Sequence, residues 1–311
     1  MNSGKKIICV VIAAAFTVIG VAGCGLLPGT GQSTEPTTIT SVPTEPVQQT
    51  VEPTPQPTPQ STPEPTVTSE TAADTSLTQL QAKDGYMQPK SLEGIDPLND
   101  KVIALTFDDG PNPVKTPELL DILEKNDAVA TFFMVGNLVE KNAELVKRAY
   151  DEGNEIGTHS YSHPTEAWKN MSTEERLAEY TQANDTIQAA TGLRALIDRP
   201  VGGGMTEEMA EQIGREQIIW SVDPEDWKYK DADTVYEHVM NGWNEGNVED
   251  GAVILSHDIY QSTVDAYARI IPALKEQGYK FVTVTQMMQI AEIRGKKIEY
   301  RFFSAIPDAA A

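Results

Sequence analysis

The sequence lacks the cysteines that a disulfide-bonded exported domain would use. Its only two cysteines, Cys9 and Cys24, fall within the first 24 of 311 residues. No pair of cysteines is therefore available to cross-link the rest of the chain, whatever the redox state of its surroundings. A chain of this length can bury enough apolar surface to fold without such links. We expect a hydrophobic core to hold the folded part together.

Basic residues are also scarce, with 24 Lys and Arg against 46 Asp and Glu and a net charge of −22. Residues 1–24 contain two lysines and no acid, and residues 25–82 contain six acids and no base, so residues 83–311 carry the remaining −18. A domain this acidic repels polyanions. The composition therefore argues against a nucleic-acid partner.

Only one long apolar run is present, at residues 7–19, directly after Lys5 and Lys6. It is short for a membrane span, and small residues follow it up to Cys24. This order predicts a signal peptide over residues 1–23. The context of Cys24 resembles a bacterial lipobox, which implies lipidation of Cys24 and an extracytoplasmic lipoprotein anchored in the cell membrane. The alternative is an ordinary secretory signal with an incidental cysteine.

Aromatic residues are absent from residues 25–82, a stretch that holds ten of the twenty prolines among Thr, Gln, Ser and Glu. Such a composition offers too little apolar surface to fold. We predict a disordered tether over residues 24–83, biased toward polyproline II conformation.

From residue 84 onward, short apolar runs alternate with helical patterns. Seven such repeats indicate a parallel sheet, either open or closed. We expect an α/β fold, an irregular (β/α) barrel of about seven parallel strands over residues 84–297, with a C-terminal tail at 298–311. The predicted strands are 102–106, 130–135, 155–158, 196–198, 217–220, 252–256 and 280–284.

Several helix ends are also recognisable. Thr116 before Pro117 is typical of an N-cap followed by proline at the first helical position. Ser172 and Glu175 have the spacing of a capping box, and that helix should end at Gly192.

Clusters of polar residues follow most of the predicted strands. The carboxyl ends of parallel strands share one face, and active sites are built there in such folds. We therefore expect the clusters to meet in space. They are Asp108 and Asp109 after the first strand, His159 and His163 after the third, Arg199 after the fourth, 223–227 after the fifth, and His257 after the sixth.

Asp109, His159 and His163 together offer one carboxylate and two imidazoles, a set that can hold a divalent metal with open positions. Pro164 disfavours helical geometry at His163, so we expect the two histidines in a turn or at a helix start. Zinc suits this donor set, and cobalt or another divalent ion remains open.

Asp108 and His257 are then left for proton transfer. Asp108 can accept a proton from an attacking water molecule, and His257 can donate one to a leaving group. Arg199 can hold Asp108 in its ionised form, and Asp226 can orient His257 and raise its basicity. These groups predict metal-assisted hydrolysis. His238 has no such neighbours in sequence, and we interpret it as structural or exposed.

These motifs resemble those of the NodB-homology polysaccharide deacetylases, carbohydrate esterase family 4, over about residues 101–291. The resemblance lies in the segments 106–110, 159–163, 223–227 and 255–257. It implies a NodB-like deacetylase domain with Asp108 as general base, His257 as general acid and Asp226 as the residue that tunes His257. It also implies that Asp109, His159 and His163 bind the metal. Trp227 and Leu255 would form the wall of a pocket for the acetyl methyl.

The segment 199–204 departs from the family pattern. It keeps Arg199, but Val201 replaces an expected proline and Gly202 replaces a tyrosine whose backbone N–H helps bind the oxyanion in this family. Glycine still supplies that N–H. The three consecutive glycines predict a roomy, aromatic-poor subsite suited to a bulky sugar.

The resemblance predicts a metal-dependent deacetylase that removes N-acetyl groups from glycans. Peptidoglycan is the first candidate because of the predicted membrane anchor, and we expect a monomer. The alternatives are an acetylxylan-type O-deacetylase, a non-catalytic glycan-binding lipoprotein, and a solute-binding lipoprotein. The last of these leaves the metal-binding pattern without a use.

Overall fold

The computed structural model describes residues 83–244, 246–296 and 302–306. The predicted signal peptide, the predicted lipidation site at Cys24 and nearly all of the predicted tether lie outside these residues, and so does much of the predicted tail. No helix within the described ranges is long and apolar enough to cross a membrane.

Eight short strands are described, and the burial of each reflects its composition. The first has the sequence KVIALTFD and is buried at every position but Lys101, as expected for a strand covered on both faces. The strands are β1 (Lys101–Asp108), β2 (Thr131–Met134), β3 (Glu155–Thr158), β4 (Ile197–Asp198), β5 (Glu216–Ile218), β6 (Ala252–His257), β7 (Tyr279–Phe281) and β8 (Phe302–Phe303).

Helices fill most of the connections between the strands. They are α1 (Lys115–Lys125), α2 (Gly136–Val139), α3 (Ala143–Asp151), α4 (Thr165–Trp168), α5 (Thr173–Thr191), α6 (Glu207–Ile213), α7 (Asp226–Tyr229), α8 (Ala232–Asn241), α9 (Gln261–Glu276) and α10 (Val284–Ile293), with a 3₁₀ turn at Val201–Gly203. The predicted capping box at Ser172 and Glu175 is present, and α5 ends at Gly192 in left-handed conformation, as predicted.

All strands pair in parallel, in the order β6-β1-β2-β3-β4-β5-β8, and β7 pairs with the start of β1. Beyond β5 the chain turns toward β6. The N–H groups of Ser221 and Val222 donate to the carbonyl of Val253, and the N–H of Leu255 donates to the carbonyl of Val222. The sheet therefore curls into an irregular half-barrel, which confirms the predicted fold class.

The alternation of side chains along β1 divides the core into two layers. Ile103, Leu105 and Phe107 pack with the surrounding helices, whereas Val102 and Ala104 belong to a second cluster inside the curled sheet. Because the period of a strand is two residues, Asp108 falls on the inner face with Val102 and Ala104.

Three features differ from the sequence-based expectations. Helix α1 begins at Lys115 with Val114 at its N-cap, so the N-cap prediction at Thr116 was wrong. Val284, predicted at the end of a strand, instead begins α10 after a capping box on Thr283. Residues 302–306 lie within the predicted tail, yet β8 pairs with β5 and Ile306 is buried.

Candidate active site

Asp108 and His257 are direct neighbours across two strands. They are register partners in the parallel pair of β1 and β6, each at the last residue of its strand. On β6, Val253 belongs to the inner core cluster, and the two-residue period places His257 on that same face. The two predicted proton-transfer groups therefore project from the same end of the half-barrel, at its carboxyl edge.

Asp109 would point away from Asp108 if the strand simply continued. Instead its φ of 70° takes the backbone out of extended geometry directly after β1. Its Oδ1 atom lies 3.0 Å from Nε2 of His163 and 3.5 Å from Nε2 of His159. The turn thus brings the second aspartate to the same site as the first, in a different position.

The structure brings the three predicted metal ligands together. One oxygen of Asp109 and one nitrogen each of His159 and His163 lie within 4.8 Å of one another. Oδ1 of Asp109 is buried and has no hydrogen-bond partner among the described residues. A buried carboxylate oxygen without a donor, facing two imidazole nitrogens, fits a divalent cation well.

Hydrogen bonds orient both imidazoles for this role. Nδ1 of His159 lies 2.9 Å from the carbonyl oxygen of Arg199, and because a carbonyl only accepts, Nδ1 must carry the proton. Nε2 is then left with its lone pair toward Asp109. Nδ1 of His163 lies 3.2 Å from Oγ1 of Thr165. His163 lies in the loop between β3 and α4 with a φ of 52°, outside right-handed helical geometry, as the following proline predicted.

The charges of the site also favour a cation. Burial lowers the pKa of His159 despite the nearby carboxylates, which keeps its imidazole neutral and able to bind metal. Burial alone would raise the pKa of Asp109, but contact with the imidazole of His163, whose own pKa Asp109 raises, outweighs burial and holds the pKa of Asp109 well below its usual range. Asp109 is therefore ionised at any physiological pH.

Asp108 is held by a buried arginine. Nη1 of Arg199 donates to Oδ1 of Asp108 at 2.8 Å and to Oγ1 of Thr106 at 2.7 Å. Both Asp108 and Arg199 are almost completely buried, so the pair is shielded from solvent. The second oxygen, Oδ2, lies 3.7 Å from Nε2 of His159. The contact predicted between Arg199 and Asp108 is present, and it leaves one carboxylate oxygen on the metal-ligand side.

His257 forms a close pair with Asp226, the first residue of α7. Its Nδ1 lies 2.8 Å from Oδ1 of Asp226, and its backbone N–H donates to Oδ2. Oγ1 of Thr263 also donates to Oδ2, and the N–H of Trp227 donates to Oδ1. Burial lowers the pKa of His257, but the hydrogen bond and charge of Asp226 prevail and raise it to about 9. His257 is thus protonated near neutral pH.

A pocket of about 440 Å³ opens at this end of the half-barrel. Arg199 and Asp226 lie behind its wall, fully buried. Leu255 and Trp227 are part of the wall, as predicted, and Trp227 is 46% exposed. The lining residues are Asp108, Asp109, His159, His163, Thr165, Val201, Gly202, Trp220, Asp223, Trp227, Leu255 and His257.

The glycine-rich turn is not as aromatic-poor as its sequence suggested. Gly202 lines the pocket with a φ of 58° and open space where a side chain would begin. A Cβ on Gly203 would lie 3.0 Å from the ring of Trp220, and a Cβ on Gly204 would lie 3.1 Å from Trp168. The glycines therefore let the backbone approach two tryptophans, and one of these, Trp220, lines the pocket.

One buried carboxylate next to the site, Asp258, was given no role by the sequence analysis. Asp258 is buried against Gly110 and pairs through Oδ2 with Oγ1 of Thr116, while its Oδ1 has no partner among the described residues. Burial and the charge of Asp109 raise the pKa of Asp258 to about 7, against the hydrogen bond from Thr116. Asp258 directly follows His257 in the sequence, but its partner Thr116 lies 142 positions earlier, so no local pattern indicated the contact.

His238 lies outside the site, as predicted. Its ring stacks on Trp243 at 3.8 Å, and Nδ1 lies 2.9 Å from the carbonyl oxygen of Pro224. It therefore packs beneath the segment that carries Asp226.

Known proteins are similar to this chain in sequence and in fold. The profile of the polysaccharide deacetylase family matches residues 96–218. A peptidoglycan-N-acetylglucosamine deacetylase of Bacillus cereus is 37% identical over 201 residues, covering 62% of this chain and 91% of the relative. The chain belongs to the polysaccharide deacetylase family. The peptidoglycan-N-acetylmuramic acid deacetylase PdaC of Bacillus subtilis is 42% identical over 205 residues. The match covers 66% of this chain but only 42% of PdaC, so the chain spans about two fifths of that relative's length.

Solved structures of the family superpose on this chain. The structure of PdaC from Bacillus subtilis has a TM-score of 0.60 at 42% identity, covering 65% of this chain and 96% of that one. A family 4 acetyl xylan esterase from Clostridium thermocellum, solved with a cobalt ion, has a TM-score of 0.59 at 32% identity. The match covers 67% of this chain and 100% of the esterase chain. Membership of the family is therefore supported by sequence and by fold.

Proposed function

We propose that this protein is a metal-dependent deacetylase that removes N-acetyl groups from cell-wall glycans. One observation carries the proposal. Asp108 and His257, register partners at the ends of neighbouring strands, both line the pocket that holds Asp109, His159 and His163. A binding protein needs neither a shielded carboxylate nor a protonated histidine beside such a ligand set.

In the proposed hydrolysis, Asp108 and His257 each carry out one proton transfer. A water molecule adds to the carbonyl carbon of the acetamide, and Asp108 accepts the proton that this water loses. The C–N bond then breaks as His257 donates a proton to the departing nitrogen, leaving acetate and a free amine. Arg199 keeps Asp108 oriented, and Asp226 keeps His257 charged.

Asp109, His159 and His163 would hold the divalent cation, with zinc as the first choice from the donor set and cobalt as an alternative. When bound, that cation would lower the pKa of water and polarise the carbonyl oxygen. We assign Gly202, whose backbone lines the pocket, to the side where the oxyanion develops. Leu255 and Trp227 are assigned to the acetyl methyl.

Peptidoglycan is the proposed substrate for two reasons. The relatives from Bacillus subtilis and Bacillus cereus are named for the N-acetylmuramic acid and N-acetylglucosamine of peptidoglycan. The predicted lipid anchor at Cys24 and the tether would also hold the enzyme at the outer face of the cell membrane, next to the wall. We propose that it works there as a monomer.

The test is acetate release from three substrates by the purified chain loaded with zinc. We expect release from peptidoglycan or from N-acetylglucosamine oligomers, and much less from acetylxylan. Preferential release from acetylxylan would favour an O-deacetylase, an alternative that the likeness to the Clostridium thermocellum esterase keeps open. Glycan binding without acetate release from any substrate would favour a non-catalytic binding protein.

The pair of His257 and Asp226 predicts the alkaline limb of the activity profile. A raised pKa means that the protonated imidazole persists until the pH rises through about 9, so donation should be lost above that point. A bound cation would lower this value. In Asp226→Asn the main cause of the raised pKa is gone, and the alkaline limb should move down toward about 6.5. The measurement is kcat/KM against pH, and an alkaline limb that stays in place would exclude His257 as the donor.

A further inference from the structure

The loop that joins the two histidine ligands has unusual backbone geometry. Ser160 has a φ of 63° and His163 a φ of 52°, and neither residue is glycine. Left-handed conformations are unfavourable for residues with a Cβ, and they persist where the surroundings hold them in place. The position of the His163 imidazole therefore depends on whatever holds residues 160–163.

A single carboxylate on α5 provides much of that support. Oε2 of Glu179 accepts hydrogen bonds from the backbone N–H of Tyr161 at 2.9 Å and of Ser162 at 2.8 Å. Oε1 accepts from Oγ of Ser162 at 3.0 Å. Hydrogen bonds from N–H groups to a charged acceptor are stronger than those between neutral groups. Glu179 does not line the pocket, and its side chain is half-buried against the loop.

The other side of the loop is held by α2. The N–H groups of Gly136 and Asn137 donate to the carbonyl oxygens of Ser160 and Tyr161, both at 3.0 Å. The loop is thus fixed between backbone donors on one side and the carboxylate of Glu179 on the other. A Cβ on Gly136 would lie 2.8 Å from atoms of Tyr161 and Ala183, so α2, the loop and α5 are in close contact.

His159 does not depend on this support in the same way. Its backbone N–H donates to the carbonyl of Met134, and its Nδ1 is held by the carbonyl of Arg199. The backbone N–H of His163, by contrast, donates within the loop to Oγ of Ser160 at 2.9 Å, and its Nδ1 contacts Thr165 at the start of α4. Movement of the loop would therefore displace His163 and leave His159 in place.

We propose that Glu179 is a positioning residue of the metal site, which sets the affinity for the divalent cation by holding the 160–163 loop through its three hydrogen bonds. This inference rests on the proposed function, because it takes Asp109, His159 and His163 as the ligands. It adds a residue from α5, 16 positions beyond His163, that no ligand pattern in the sequence contains.

The experiment measures metal affinity rather than activity. Metal-free wild-type protein, Glu179→Ala, Glu179→Gln and Glu174→Ala are titrated with Zn²⁺ against a chromogenic chelator, and Co²⁺ absorption spectra are recorded. Glu179→Ala should bind Zn²⁺ about 10- to 100-fold more weakly, as is usual when a residue that orients a metal ligand is removed. Its Co²⁺ spectrum should change as well. Glutamine can still accept through its amide oxygen, so Glu179→Gln should stay within about threefold of wild type.

Glu174→Ala is the matched control, an acid removed from the first turn of the same helix. It should leave the Zn²⁺ affinity unchanged. Thermal melting of the metal-free proteins checks the fold, and Glu179→Ala should still unfold in one cooperative transition, at a lower temperature because two backbone N–H groups of the loop lose their acceptor. A wild-type Zn²⁺ affinity and Co²⁺ spectrum in Glu179→Ala would overturn this inference alone. Failure of the wild-type protein to bind either ion would overturn both the inference and the proposed function.

Discussion

His159→Ala should abolish catalysis and weaken Zn²⁺ binding by at least about 100-fold, more than the loss of a residue that only orients a ligand. His159 is buried between Asp108 and Asp109, with Nε2 3.5 Å from Oδ1 of Asp109. Without it, the remaining ligands are one carboxylate and His163, too few to retain zinc against solvent. Asp109→Ala and His163→Ala should show the same loss.

Metal analysis and the thermal shift on adding Zn²⁺ measure this loss. A ligand that binds only the native state raises the melting temperature, so Zn²⁺ should stabilise wild type and leave His159→Ala unchanged. His238→Ala is the control, since it removes the fourth histidine, which stacks on Trp243 outside the ligand set. It should retain the Zn²⁺ response. Full zinc occupancy in His159→Ala would contradict the ligand assignment.

The convergence of the site residues was predictable because it follows from strand order and period. Polar residues at the ends of apolar runs had to meet once the runs formed a parallel sheet. Asp108 shows this most simply. The apolar run defined the start of β1, and the two-residue period then places Asp108 on the same inner face as Val102 and Ala104. Pro164 likewise indicated that His163 lies in a turn or at a helix start, and His163 lies in a loop two residues before α4.

Local rules failed where a distant group competed for a side chain. Thr116 has the sequence of an N-cap, but Asp258, the residue after β6, binds its hydroxyl, and the helix begins at Lys115, two residues earlier than predicted. β8 was missed for a related reason. A two-residue strand has no detectable period, and only pairing with β5, about 85 positions away, orders it.

The residues that support the histidine loop and the glycine turn were beyond prediction because their roles depend on packing. Nothing adjacent to Glu179 marks it as a partner of the histidine loop, and Trp220 was interpreted only as the end of a strand. Both act on segments that the sequence identified, the 160–163 loop and the glycine turn. Sequence therefore located the proposed reacting groups and their partners Arg199 and Asp226, whereas the structure was needed to find Glu179 and the contact of Trp220 with the glycine turn.

Asp108→Asn should keep its metal and lose turnover by a factor on the order of 10² to 10⁴, the usual contribution of a general base. Asparagine has nearly the shape of aspartate and still offers an oxygen to Nη1 of Arg199, but it cannot accept a proton from water. Asp108 is not a predicted ligand, since Asp109 provides the oxygen nearest both imidazoles. Zn²⁺ affinity should therefore remain within a few-fold of wild type.

The loss of charge beside Arg199 should also lower the free energy of unfolding, by about 1–3 kcal/mol, because a buried cation is left with a weaker partner. Asp198→Asn separates the two effects. Asp198 is also a buried carboxylate paired with an arginine, accepting from Nη2 of Arg215 at 2.6 Å, and it does not line the pocket. It should lose similar stability and keep its turnover per folded molecule. Urea unfolding and acetate release on both variants decide the matter, and an Asp108→Asn enzyme with more than about a tenth of wild-type turnover would require another base.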